Sequence, residues 1–171
     1  MATKPSFGDV ANSILDPMLS DNFLLDIPNV PGGQNGQPLR MQCKSAAKPG
    51  VTVNAVEVQV FGHTLEFASN LTYGHDMSVE YVENRSGQIT TILENWAKLI
   101  RDNETQSGEF KKVYAVNGIF TIFDQKGNSV KEYKIENMWP SQIPDLSFDG
   151  SSSSIISLSA TFKYDRAIVV K

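Results

Sequence analysis

Reactive side chains are scarce in this sequence. Cys43 is its single cysteine, which excludes an intramolecular disulfide and the Cys-x-x-Cys pairs of a structural zinc site. Its two histidines, His63 and His75, fall in turn-like segments with no cysteine or paired carboxylate at ligand spacing, so neither a metal site nor a general base is expected. Asp149-Gly150 leads into a serine run, Ser151 to Ser154, but the Gly-x-Ser-x-Gly elbow of a serine nucleophile is missing. Asp124 and Asn128 lack the further oxygen ligands and the glycine position of a calcium loop. The glycine-rich loop Pro31 to Pro38 lacks the Gly-Lys-Ser/Thr ending that cradles phosphate. No cofactor is expected, and the inventory points away from an enzyme.

Long apolar runs are also missing. No window reaches the ~20 apolar residues of a membrane span, and Met1-Ala2-Thr3-Lys4-Pro5 does not lead from a basic region into an apolar one as a signal peptide does. Without a secretory signal, the Asn-x-Ser/Thr triplets at Asn70, Asn84 and Asn103 read as chance matches. A reduced, cytoplasmic folding compartment suits the lone thiol. The 19 acidic and 15 basic residues are interspersed and give a net charge of −4, so there is no basic stripe for nucleic acid.

What is present is β-patterning. A chain of 171 residues fits one domain with its own core. We divide it into an N-terminal segment, 1–20, with a short helix between Phe7 and Met18 limited by Gly8 and Pro17, and a β-domain, 21–171. Strands are expected over Asp21 to Ile27 and Leu39 to Ala47, the second stopped at Lys48-Pro49-Gly50. Val56, Val58 and Val60 alternate with Glu57 and Gln59, giving one apolar and one polar side, and Gly62-His63 turns into a strand from Thr64 to Phe67. Met77, Val79 and Tyr81 alternate with Ser78, Glu80 and Val82. Cys43 falls within a strand, where a thiol behaves as a small hydrophobe.

One clear helix begins near Ser86 as N-cap and carries Ile89, Ile92, Leu93, Trp96, Leu99 and Ile100 on a single stripe opposite Glu94, Asn95, Lys98 and Arg101. The cluster Asp102 to Thr105 ends it, and the stripe predicts packing on the outside of a sheet. Lys111 to Asp124 and Ser129 to Met138 bracket Gln125-Lys126-Gly127-Asn128 as a hairpin. The last strand, Ile155 to Tyr164, puts Ile156, Leu158, Ala160, Phe162 and Tyr164 on a core face and Ser157, Ser159, Thr161 and Lys163 on a small polar one.

Between these strands Glu136 to Asp149 sets a Trp139-Pro140 corner, where an aromatic followed by a proline predicts that a sheet ends and the chain turns. Three segments in this order carry a resemblance: Met41-Gln-Cys-Lys-Ser-Ala-Ala-Lys-Pro-Gly50, the helix with Trp96, and Met138-Trp139-Pro140-Ser141 with the strand to Tyr164-Asp165. Together they resemble the tail tube proteins of contractile-tailed bacteriophages, over about Asp21 to Lys171. Related tubes occur in pyocin-like particles and type VI secretion, and Cys43, Pro49, Trp96, Trp139 and Pro140 are the motif residues.

The resemblance implies a mainly β (α+β) fold, an antiparallel β-sandwich or barrel-like domain with one main external helix. Its sheets join into a large β-barrel in a hexameric ring, and rings stack into the inner tube of a contractile tail. Implied partners are further copies of the chain, a tail sheath protein, a baseplate tube initiator, a tape measure and a tail terminator. Genomic DNA passes through the lumen without specific binding, and the protein resides in the virion after assembly in the host cytoplasm. The polar faces carrying Glu57, Gln59, Ser78, Glu80, Ser157, Ser159, Thr161 and Lys163 are the lumen-facing candidates. Val51 to Asn54 and Asp21 to Pro38, with turn composition and no clear core pattern, are expected to touch the next ring. Other readings of the same pattern are the tube of a non-phage contractile injection system, a baseplate tube initiator, or a monomeric β-sandwich binding module.

Overall fold

The computed structural model describes residues 4, 6–8, 18–151 and 153–171. The helix expected between Phe7 and Met18 falls largely outside them. In chain order the elements are β1 (Phe23–Asp26), α1 (Gln37–Met41), β2 (Cys43–Ala46), β3 (Val51–Val60), β4 (His63–Tyr73), β5 (Asp76–Val82), α2 (Gln88–Ile100), α3 (Lys111–Tyr114), β6 (Val116–Phe123), β7 (Ser129–Gln142), β8 (Ser157–Lys163) and β9 (Arg166–Val169).

All strand pairs are antiparallel. The main sheet runs β1-β6-β7-β8-β5-β2, with β9 also on β7. It is open in the single chain, with β1 and β2 at its ends, and β3-β4 forms a separate two-stranded sheet. The mainly β reading with an external helix therefore stands.

Strand β7 is the hinge of this arrangement. Its first part pairs with β6 and β9, while Trp139 and Pro140 pair with Lys163 and Phe162 of β8. The handover falls at Asn137, which takes a left-handed φ of 55°. Its amide donates to the Asn117 side chain at 3.3 Å, and its Nδ2 donates to Asp165 at 2.8 Å. The Trp-Pro corner thus corrects our expectation: the strand does not end there but passes from its neighbours β6 and β9 to β8, and the bend comes from Asn137. Pro140, buried and without an N–H, sits beside a register shift that interrupts the ladder.

The described core is one cluster. Leu25, Phe120, Tyr133 and Ile135 join Met77, Val79 and Tyr81 of β5 and Leu158, Ala160 and Phe162 of β8. Helix α2 completes it by burying Ile89, Ile92, Leu93 and Trp96, each worth roughly 1.5–3 kcal/mol of transfer free energy. The Trp96 ring lies 5.9 Å from that of Phe162, and its indole N–H donates to the Tyr114 carbonyl at 2.8 Å. That acceptor explains another correction. Lys111–Tyr114 is a helical turn, not the start of the next strand, and it presents its last carbonyl to the indole.

Two further expectations change. Leu39–Met41 is helical rather than extended because Pro38 stands in the first turn of α1, where its missing N–H costs nothing. The N-cap of α2 is Gly87, at φ 64°, not Ser86. The free N–H groups of its first turn are taken from outside the helix: Glu83 accepts from Ile89 at 3.1 Å and from Thr90 at 2.8 Å, and Asn84 accepts from Gln88 at 3.1 Å. A carboxylate at this end also meets the positive pole of the helix.

Two outcomes test these joints. Partial burial raises the pKa of Glu83, but the hydrogen bonds from the Thr90 hydroxyl and from the Thr90, Asn84 and Ile89 amides outweigh it and leave the group below its ordinary value. Its stabilisation is therefore present above the unfolded carboxylate range, near ~4.3, and is lost as pH falls through the depressed folded value. Glu83→Ala should lower stability by about 1 kcal/mol near neutral pH, and urea unfolding should show that gap closing in acid. Asn137→Val should cost about 1–2 kcal/mol from left-handed strain alone, whereas Asn137→Gly, which tolerates that φ, should cost less in the same titration.

Candidate functional site

Two surfaces stand out, and neither is a catalytic cleft. Among the described residues no group of three or more His, Cys, Asp or Glu is placed to hold a metal ion, and no helix is long and apolar enough to cross a membrane. Cys43 lies half-buried in β2, where burial pushes its thiol up to about 11, so it is a poor nucleophile.

The first surface is the polar face of the β8-β5-β2 end of the sheet. Register places Ser78 opposite Thr161, Glu80 opposite Ser159, and Ser157 and Lys163 at the two ends of the same ladder. Alternation turns these six side chains to the side opposite the buried Met77, Val79, Tyr81, Leu158, Ala160 and Phe162. The charges are matched: Lys44 bonds Glu80 and Lys163 bonds Asp76, each at 2.7 Å. Hydrogen bonds from Lys44 and Ser157 hold the Glu80 carboxyl below its usual range. With two cations against two anions, the face is near neutral. Of the remaining motif residues, Pro49 is buried and Trp139 half-buried.

The second surface is the β3-β4 hairpin, which carries Glu57 and Gln59 away from those six. Glu57 lies opposite Glu66 and Gln59 opposite Thr64 on one face. The other face is apolar as the alternation predicts, but the chain's own core does not cover it: Val56, Val58, Val60, Leu65 and Phe67 are 41–55 % exposed. Period-2 patterning announced an apolar face correctly but could not say that the described chain leaves it exposed. Among the described residues the hairpin pairs with no other strand, and it joins the body at its root. There Gly74 donates to the Gly50 carbonyl at 3.3 Å, and His75 Nδ1 stands 2.9 Å from the Tyr164 carbonyl.

The expected ring-contact segments also resolve. Val51 to Asn54 is not a turn but the first part of β3. Asp21 to Pro38 contributes Leu25, Ile27 and Val30 to the core, so it has the core pattern we did not read in its sequence.

The fold these surfaces sit on is an open, mainly β, antiparallel sheet with one packed helix and a two-stranded hairpin. Solved structures share this fold. A chain from an extracellular contractile injection system, the PVC sheath/tube terminator in the extended state, matches with a TM-score of 0.67 at 15 % identity over 93 % of this chain and 100 % of that one. One from the PVC sheath-tube complex matches at 0.63 and 14 % identity over 97 % and 98 % of the two chains. Another, from the baseplate of the anti-feeding prophage, matches at 0.63 and 15 % identity over 92 % and 97 %. No curated protein sequence matches. The profile of the phage tail tube protein family spans residues 19–170, and the chain belongs to that family.

Proposed function

We propose that this protein is the structural subunit of the inner tube of a contractile tail, with hexameric rings of identical copies stacked into a conduit. The observation that carries the reading is the β3-β4 hairpin. Two strands alone are marginal in water, yet this hairpin leaves an apolar stripe uncovered and two strand edges unpaired. Such edges and stripes are satisfied by neighbouring strands, and copies arranged about a symmetry axis supply them by closing the open sheets into one barrel. Membership of the tail tube family supports the same role and a structural rather than an enzymatic one.

In this reading Ser78, Glu80, Ser157, Ser159, Thr161 and Lys163 line the lumen, and Glu57 and Gln59 extend the lining along the hairpin. A wall of hydroxyls and internally paired charges offers a polyanion no fixed cation to release counterions against, so genomic DNA slides through it toward the host cell. Partners are a sheath around the tube, a baseplate initiator and a terminator at its ends, and a tape measure inside it. Assembly takes place in the host cytoplasm and the product is part of the virion, with residues 1–20 as a segment apart from the 21–171 domain. One observation favours a second reading, the tube of an extracellular injection machine: two of the similar folds come from an extracellular contractile injection system.

Electron microscopy of the purified protein should show rings or tubes with a central hole. A monodisperse monomer that stays monomeric beside preformed baseplates would instead indicate a binding module. Replacing the outer part of the hairpin, residues 54–70, by a short Asn-Gly turn should leave the circular dichroism and cooperative unfolding of the body intact while abolishing rings and tubes.

A further inference from the structure

The tip of the hairpin does not follow the rule its geometry sets. Val60 pairs with His63, so the loop is the two residues Phe61 and Gly62. Both have positive φ, 50° and 82°, the requirement of a type I′ turn, whose favoured sequence is Asn-Gly because asparagine and glycine enter the left-handed region readily. A bulky aromatic in that region is an outlier. Phe61 is moreover 98 % exposed. It gains nothing from burial within its own chain and strains the turn it occupies. Strain kept at a surface aromatic on the outermost point of an unpartnered arm marks an intermolecular anchor.

A hollow of about 500 Å³ lies between β1, β2 and β6, with Leu19, Phe23 and Ile122 as apolar wall and Asp21, Lys44 and Lys48 as charged rim. Half-buried Phe23 stacks on buried Phe120 with centroids 5.9 Å apart, leaving Phe23 and Ile122 as the reachable apolar surface, and the edges of β1 and β2 flank the hollow. The larger hollow beside α2 also has apolar walls but is rimmed by Glu94, Asp102, Glu104 and Asp145, and carboxylates repel the negative face of a phenyl ring, whereas lysines such as Lys44 and Lys48 attract it. We propose that Phe61 anchors the hairpin to a second copy of this chain, with its ring seated against Phe23 and Ile122 in the hollow between β1, β2 and β6. The inference rests on the tube reading and adds to it the residue and the receptor that join copies.

Phe61→Asn separates the two ideas, because it removes the ring while improving the turn. The variant should keep the wild-type circular dichroism spectrum, unfold at the same or a higher temperature, and need at least tenfold more protein to form rings or tubes. Assembly at the wild-type concentration would overturn the anchor and leave the tube reading standing. Wild-type protein that never assembles under these conditions, even beside preformed baseplates, would overturn the tube reading and the anchor with it. Photo-crosslinking tests the seat directly. With p-benzoylphenylalanine at position 61 of assembled protein, intermolecular crosslinks should map to peptides containing residues 18–23, 44–48 or 119–123. Crosslinks confined to other peptides would overturn the proposed receptor.

Discussion

The rest of the fold hangs on the left-handed residue Asn137 and the carboxylate that holds it. Asp165 receives Lys111 Nζ at 2.6 and 2.7 Å and Asn137 Nδ2 at 2.8 Å, while its own amide donates to the Glu136 carbonyl at 3.0 Å. The hydrogen bonds from Lys111 and Asn137 keep the Asp165 carboxyl below its ordinary range, as expected of a group that works as an anion. One carboxylate thereby ties together α3, the bend in β7 and the turn between β8 and β9. Without the bend β7 could not serve β6 and β9 with one half and β8 with the other, and the core would divide at Met138.

That joint also orients the arm. Tyr164, immediately before Asp165, is buried and offers its carbonyl to His75 at the hairpin root. Its ring centroid lies 6.2 Å from that of His75, whose ring also meets Tyr73 edge-on at 6.3 Å. A hairpin of ten and eleven residues extends roughly 33 Å at about 3.3 Å per residue, so a small rotation at the root becomes a large displacement at the tip. A densely hydrogen-bonded joint is therefore adjacent to an arm that pairs with no other strand among the described residues. Such an arrangement suits a subunit that must present an arm in a fixed direction before any neighbour has ordered it.

Sequence patterning revealed those elements whose partners lie within the chain. The stripe of α2 and the alternation of β5 and β8 were legible because their apolar faces meet one another, with Trp96 against Phe162. It failed where a remote or local polar contact decided the matter. Glu83, upstream of Ser86, caps α2 through the fold, and Asn137 rather than Trp139-Pro140 makes the bend because its side chain finds Asp165 across the sheet. Pro38 was a visible helix start that we passed over in favour of a strand. The six polar side chains of β5 and β8 were brought together as their spacing implied, but no pattern in the sequence could place Glu57 and Gln59 on a separate hairpin.

The choice between a self-contained module and an assembling subunit turns on edges. A monomeric sandwich protects its edge strands with short length, bulges, prolines, inward charges or a covering helix. Here β2 does carry Lys44 and a register shift, and β1 is short, so these edges show partial protection. The hairpin shows the opposite choice: it is long, exposes valine, leucine and phenylalanine together on one face, and ends in a strained aromatic. On the other face Glu57 stands directly against Glu66, a like-charge pair that weakens the isolated hairpin. A segment protecting itself from other chains would carry its charges where the valines are. This distribution, apolar on one side and repulsive on the other, disfavours random aggregation while leaving one face open to a specific neighbour, which is the selectivity an ordered assembly requires.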